Sequence, residues 1–282
     1  VRGGRRGGQG PHRQTRSQRG TTPVRSGGGR AKGVGGDQVE GRQAVRELLV
    51  AGTRNVREVV LAGDLDPAPI LDDIIDLADE ARVSIRELAR SRFESMARTE
   101  SPQGVLAFAA PLLDHDLDDL LVIDSSGRQP FLLVLDGVTD PGNLGAILRS
   151  AECAGVTGVV LPRHRSVRVT ATVAKAAAGA IEHLRLSVVT GVPSALGRLS
   201  SAGVWSVGLD SGGSIPIHDL SVIDQPLALV LGSEGRGLSR LVRERCDALA
   251  HIPILGVLGS LNVAAAAAVA LFEVARRRRL VG

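Results

Sequence analysis

The stretch FLLVLDGVTDPGNLGAILRSAECAG, residues 131–155, decides how the chain is read. Its opening run, Phe131 to Leu135, is apolar at every position and is bounded by Asp136 and Gly137. Such a run reads as a strand buried on both faces, as in parallel sheets. Asp140 followed by Pro141 reads as a helix start, a capping side chain and then a residue with φ already set. Leu144, Ile147, Leu148 and Ala151 recur at helical spacing, so the segment is predicted to run strand, tight loop, amphipathic helix. Asn143 falls in the first turn, and Arg149 lies six residues on, about 9 Å along the axis. Helical side chains lean toward the N-terminus, so an arginine there can reach back over the loop. Its plainer reading is solvation of a helix face.

Working outward, the runs Gly158–Leu161, Leu186–Thr190, Val204–Gly208, Leu227–Leu231 and Ala250–Ile254 are short and β-rich, and they alternate with helical segments. That alternation predicts an α/β fold, a parallel sheet with helices on both faces. The run LVLGSEGRGLS, residues 229–239, reads as a strand, a glycine-rich loop and a helix. Its glycines fit neither the dinucleotide fingerprint nor the P-loop. Glu234 is the informative residue, because a carboxylate in a ligand loop is costly without a partner. The third segment is Ile252-Pro253-Ile254, then Gly259-Ser260-Leu261-Asn262-Val263 and an Ala-rich helix, which Ser260 could cap.

Asp140-Pro141-x-Asn143-x-Gly145-x-x-x-Arg149-Ser150, the loop around Glu234, and Pro253 with Ser260-Leu261-Asn262 resemble, in that order, motifs 1, 2 and 3 of the SpoU (TrmH) class of RNA 2′-O-ribose methyltransferases, in the SPOUT superfamily. Lys175–Ala180 also resembles a family segment, one that often has Ser where Ala177 stands. The resemblance implies a C-terminal SPOUT domain with a deep trefoil knot, S-adenosyl-L-methionine held in it, and a homodimer. It implies cofactor contacts from Gly232, Ile252 and Leu261. Arg149 and Asn143 would act at the ribose hydroxyl, with Glu234, Ser260 and Asn262 holding Arg149 and the RNA backbone. The basic loop Pro162–Arg168 offers Arg163, Arg165 and Arg168 for RNA phosphate, or else is a solvated loop.

Charge is unevenly spread. Residues 1–36 hold nine Lys/Arg and no acid, residues 38–127 nine basic against eighteen acidic, and residues 128–282 sixteen against eleven. The Arg/Gly-rich segment 1–37 is read as a disordered arm able to neutralise phosphates, or as a mere solubilising extension. Residues 38–110, opening on Val39-Glu40-Gly41-Arg42, are read as a small α/β domain. They resemble the N-terminal substrate-binding domain of the family's rRNA-modifying branch. In so acidic a region, Arg42, Arg46, Arg54 and Arg57 would have to supply any basic patch, unless each merely solvates a helix face. Residues 111–129 read as an acidic linker and 130–282 as the catalytic domain.

With four Phe, one Trp and no Tyr, base stacking on aromatic platforms is not expected to dominate. Cys153 and Cys246 lack ligand spacing and are read as buried thiols of a reducing cytosol. No metal is predicted. No apolar run reaches the roughly 18 residues of a membrane span, and the start lacks the apolar core of a signal peptide. The expected location is cytoplasmic and the expected partner is RNA. For this layout the family's commonest case is a guanosine of 23S rRNA. The alternatives are a tRNA substrate, or an RNA-binding protein without catalysis on the same scaffold.

Overall fold

Two hydrogen-bonded sheets carry the computed structural model, which describes Val1 and residues 33–123, 127–164 and 168–281. The first sheet has four strands in the order β1-β4-β2-β3. They are β1 (Gln38–Glu40), β2 (Val56–Ala62), β3 (Ser84–Leu88) and β4 (Val105–Ala109), interleaved with helices α1 (Arg42–Ala51), α2 (Pro69–Glu80) and α3 (Arg90–Met96). β4 runs antiparallel to both its neighbours and β2 runs parallel to β3. α1 ends at Gly52 in the left-handed region, where its N–H returns to the Leu48 carbonyl. Val45, Leu48, Val59, Ile74 and Ala107 fill the core beneath it.

Glu40 is fully buried and explains the approach of the 97–104 loop. Its carboxylate accepts from the Gln38 amide, the Arg98 and Thr99 backbone N–H groups and the Thr99 hydroxyl, at 2.6–3.0 Å. Four donors make its burial tolerable.

The second sheet is seven-stranded and parallel throughout, in the order β7-β6-β5-β10-β8-β11-β9. Its strands are β5 (Phe131–Asp136), β6 (Gly158–Pro162), β7 (Leu186–Val189), β8 (Trp205–Leu209), β9 (Ile215–Pro216), β10 (Leu227–Gly232) and β11 (Ala248–His251). The helices are α4 (Pro141–Cys153), α5 (Ala171–Ala176), α6 (Val192–Ser201), α7 (Arg240–Arg245) and α8 (Val263–Val281). Alternate residues of β5 and β10 serve separate cores on the two sheet faces, which is why those strands read as unbroken apolar runs. Ala177 is fully buried in one of these cores, where a serine hydroxyl would need a partner.

Several sequence expectations are corrected. The last strand ends at His251, so residues 252–254 lie in a loop rather than a strand. Residues 33–37 are not part of a free arm, because Val34 and Gly36 donate to the Leu112 and Val169 carbonyls at 3.0 Å. The acidic linker 111–129 packs against the seven-stranded unit over its first half. Leu117 and Leu120 are buried against α6 and β5 residues, and Asp114 accepts the Val188 N–H at 2.9 Å. Cys153 is exposed and Cys246 only half-buried, its thiol pushed up to about 12, chiefly by burial.

The arginines depart furthest from expectation. Arg54 is buried, 3% exposed, in a bidentate pair with Glu182, 1% exposed, at 2.6 and 2.9 Å. Its remaining nitrogen donates to the Gly36 and Ala110 carbonyls. Arg46 is spent on Asp73 and Glu47, whereas Arg57 stays exposed. The basic patch of Arg42, Arg46, Arg54 and Arg57 therefore does not form as a unit. At the C-terminus, Arg278 donates to the carbonyls of Ile223, Gln129, Pro130 and Gln225 and lies over the Phe131 ring. It ties strand starts together and is not available to a ligand.

The Arg54–Glu182 pair joins the four-stranded unit to the seven-stranded one, with Glu47–His183 beside it at 3.0 Å. Burial pushes the Glu182 carboxyl up, and the Arg54 guanidinium opposes that shift. Arg54→Met strands a buried carboxylate and should cost about 3–5 kcal/mol in urea unfolding. Arg54→Met/Glu182→Leu should recover most of it. A single variant within 1 kcal/mol of wild type, on the same order-of-magnitude scale, contradicts this account of the pair.

Candidate active site

β5 and β10 pair in parallel with Asp136 opposite Gly232, so the loops that follow them leave the same sheet edge side by side. The Asp136 carboxylate accepts the Ser239 N–H at 2.7 Å and holds the far end of the glycine-rich loop against β5. Between these ends the loop closes on itself, Ser233 and Gly237 exchanging both backbone hydrogen bonds at 2.9 and 3.0 Å. Gly235 and Gly237 take positive φ of 76° and 65° there. Gly232 is extended but has no room for a side chain, since a Cβ would overlap the Gly237 carbonyl and the Leu238 nitrogen.

The tight turn carries Glu234 outward to the start of α4. Asp140 caps that helix, accepting the Asn143 N–H at 2.6 Å. The Asn143 amide then donates to Glu234 Oε2 at 3.0 Å. Asn262 completes the group, its Nδ2 lying 3.1 Å from Asn143 Oδ1 and 3.4 Å from Glu234 Oε1. Its own Oδ1 accepts the Ala264 and Ala265 N–H groups. Asn262, not Ser260, is therefore the cap of α8. One carboxylate and two amides thus bind three chain segments that are far apart in sequence.

Beside this cluster lies an open cleft of about 1030 Å³, lined by Asp210, residues 231–237, residues 251–254 and residues 256–263. Gly232, Ile252, Ser260 and Leu261 all line it. Among the described residues, segment 253–261 makes no hydrogen bond to the rest of the chain. Its backbone donors and acceptors stay available, and Leu255, Val257 and Leu258 are 101, 104 and 80% exposed. His251 Nδ1, at the foot of the cleft, is buried without a partner among the described residues. Asp210 also faces the cleft, paired with Arg243 at 2.7 Å.

The structure thus brings Asn143, Glu234 and Asn262 into contact and leaves Arg149 and Ser260 outside that network. Arg149 is exposed on α4, its side chain making no ion pair or hydrogen bond among the described residues. Arg163 and Arg168 are exposed on the chain between β6 and α5. Arg165 lies outside the described residues. Asp136 and Asp210 escaped the sequence reading. A carboxylate at the end of a buried apolar strand, just before the turn, was the available signal for Asp136. No group of three or more His, Cys, Asp or Glu residues that could hold a metal occurs among the described residues.

The SpoU rRNA methylase family profile matches residues 130–272, and the RNA 2′-O ribose methyltransferase substrate-binding profile matches residues 38–114. The chain belongs to the SpoU methylase family. Among its relatives, the Vibrio cholerae 23S rRNA (guanosine-2′-O-)-methyltransferase RlmB is 42% identical over 246 residues, 85% of this chain and 96% of that protein. The Bacillus subtilis protein YacO, whose name assigns it to the TrmH family of tRNA/rRNA methyltransferases, is 38% identical over 87% of this chain and 98% of its own length. Among solved structures, the SpoU methyltransferase AviRb from Streptomyces viridochromogenes, in complex with AdoMet, superposes with a TM-score of 0.72 at 26% identity, covering 86% of this chain and 90% of that one. The fold is therefore the α/β SPOUT fold expected from the motifs.

Gly232→Ala should destabilise the chain by about 1–3 kcal/mol, because its new methyl meets only backbone atoms. Gly235→Ala meets open space and pays only for its positive φ, about 1 kcal/mol. Urea unfolding of both variants checks the ranking. Equal, small losses would mean that the loop has slack at Gly232.

Proposed function

We propose that the chain is an S-adenosyl-L-methionine-dependent methyltransferase acting on a ribose 2′-hydroxyl of RNA, a guanosine of 23S rRNA being the substrate best supported. The observation that carries this reading is the convergence of three loops at one edge of a parallel sheet, where Glu234, Asn143 and Asn262 interlock beside the cleft. Ligands bind outside the carboxyl ends of strands in open α/β sheets. The names of the RlmB relatives support the RNA and the nucleotide. The name of YacO keeps tRNA as the second reading.

The cleft suits this cofactor. Leu231, Ile252 and Leu261 offer apolar wall, Gly232 keeps the floor free of side chain, and segment 253–261 offers unspent backbone groups to an adenine edge. When bound, the cofactor supplies an electrophilic methyl on a sulfonium. The chain's own task is to place a poor nucleophile and to stabilise the charge that develops on it. Arg149 takes that task. Its guanidinium stays protonated, so it acts by electrostatics and hydrogen bonding rather than as a base. Asn143 orients the ribose or Arg149 from the first turn of the same helix. Glu234 and Asn262 hold Asn143 in place, and Ser260 lies on the cleft side of the Asn262 loop. Arg163, Arg165 and Arg168 contact RNA phosphate.

The same reading divides the chain into an arm that stops short of the bonded residues 33–37, a substrate-binding domain (38–110), a connecting segment (111–129) and a catalytic domain (130–282). It includes a trefoil knot around the 252–262 loop, supported by β10 lying between β5 and β8. It also includes a homodimer that covers the exposed leucines and valine of that loop. No described helix is long and apolar enough to cross a membrane, and a cytoplasmic location is part of the proposal.

Labelled methyl offered with unmodified 23S rRNA, 16S rRNA and tRNA tests the function. Label should enter 23S rRNA at one alkali-resistant position. Arg149→Ala and Arg149→Lys should each lower kcat by at least about 100-fold, roughly 2.7 kcal/mol, with cofactor affinity kept. Near-normal turnover in Arg149→Lys would remove the planar fork from the mechanism.

A further inference from the structure

A second cleft, of about 910 Å³, opens where the four-stranded and seven-stranded units meet. Arg98 comes from the first unit, and Arg163 and Arg168 come from the second. Pro141, the first residue of α4, forms part of the rim, so this cleft reaches within two residues of Asn143. Thr172 adds an exposed hydroxyl. Two carboxylates share the cleft. Asp114 is spent on the Val188 N–H, and Asp37 lies 3.7 Å from one nitrogen of Arg98, leaving that guanidinium's other donors unassigned.

We infer that this cleft is a single-stranded RNA path, in which Arg98, Arg163 and Arg168 hold the phosphates flanking the nucleotide presented at Asn143. The inference rests on the RNA methyltransferase reading and adds to it a wall from the N-terminal unit. Two observations carry it. Guanidinium groups from two separate sheets line one groove whose rim includes Pro141, two residues before Asn143 at the start of α4. Among the described residues no aromatic side chain lines the groove, so it suits backbone and ribose rather than stacked bases. The buried Arg54–Glu182 pair fixes the spacing of the two walls, as a positioning contact distant from the chemistry.

The test compares Arg98→Gln/Arg163→Gln/Arg168→Gln with a charge-matched control, Arg92→Gln/Arg198→Gln/Arg240→Gln, in the full-length protein. Filter binding uses a 23S rRNA transcript and single-stranded poly(U) across a salt series. The cleft variant should bind both at least about 10-fold more weakly, with a log–log salt slope flatter by about two, since each single-strand phosphate contact contributes about 0.7. Its KM for RNA should rise in proportion while kcat at saturating RNA stays within about twofold. The control should change binding by less than about twofold. Equal binding by the cleft variant and the control would overturn the path while leaving the methyltransferase reading intact. A wild-type chain that binds and methylates no RNA would overturn both.

Discussion

The pairing of β5 with β10 is the constraint on which the rest depends. Six residue pairs in parallel register, from Phe131 opposite Leu227 to Asp136 opposite Gly232, bring two strands about a hundred residues apart to one edge. Both strands are apolar on both faces and sit at the centre of the sheet, so a slip in register would misplace core residues on both sides. With the register fixed, the loop after β10 has one place to go. Asp136 anchors its end, Gly232 allows its close return, and Glu234 is left pointing at α4. The two asparagines then tie that carboxylate to the first turns of α4 and α8. The site is a consequence of strand order before it is a consequence of any one side chain.

Arginine placement follows a different logic from net charge. Arg54, Arg277 and Arg278 spend their donors on buried or half-buried carbonyls and one carboxylate. They act as clamps between units and strand ends, a role suited to the rigid guanidinium fork. Arg98, Arg163 and Arg168 line instead a cleft that includes the first residue of α4, and Arg149 is exposed further along that helix. An overall charge of +4 hides this division. Position within the fold, and not the count of basic residues, separates cations available to a polyanion from those that hold the protein together.

Much of the architecture was legible because it rests on short-range chemistry. Apolar runs gave the central strands, and Asp140-Pro141 gave the start of α4. Two expectations failed for reasons that local sequence does not contain. Arg54 looked like a surface cation because its partner, Glu182, is 128 residues away. Ser260 looked like a helix cap by type, but the loop delivers Asn262 to that position. Within the site, motif resemblance named Asn143, Glu234 and Asn262, and the fold supplied their mutual contact. Arg149 and Ser260 rest on the resemblance alone, since the structure gives them no contact with the cluster. Asp136 escaped because its partner is a backbone N–H, so the carboxylate at the strand end pointed to no particular partner residue.

The central claim is that Asn143, Glu234 and Asn262 act as one unit. A double-mutant cycle on the methyl-transfer rate tests it most directly, with Asn143→Ala and Asn262→Ser, the serine keeping a cap on α8 while removing the amide. The account predicts strong non-additivity, a coupling of about 0.5–3 kcal/mol, with the double variant little worse than the poorer single one. Losses that simply multiply would mean that the two asparagines work independently, and that the interlocked carboxylate is not what holds the site together.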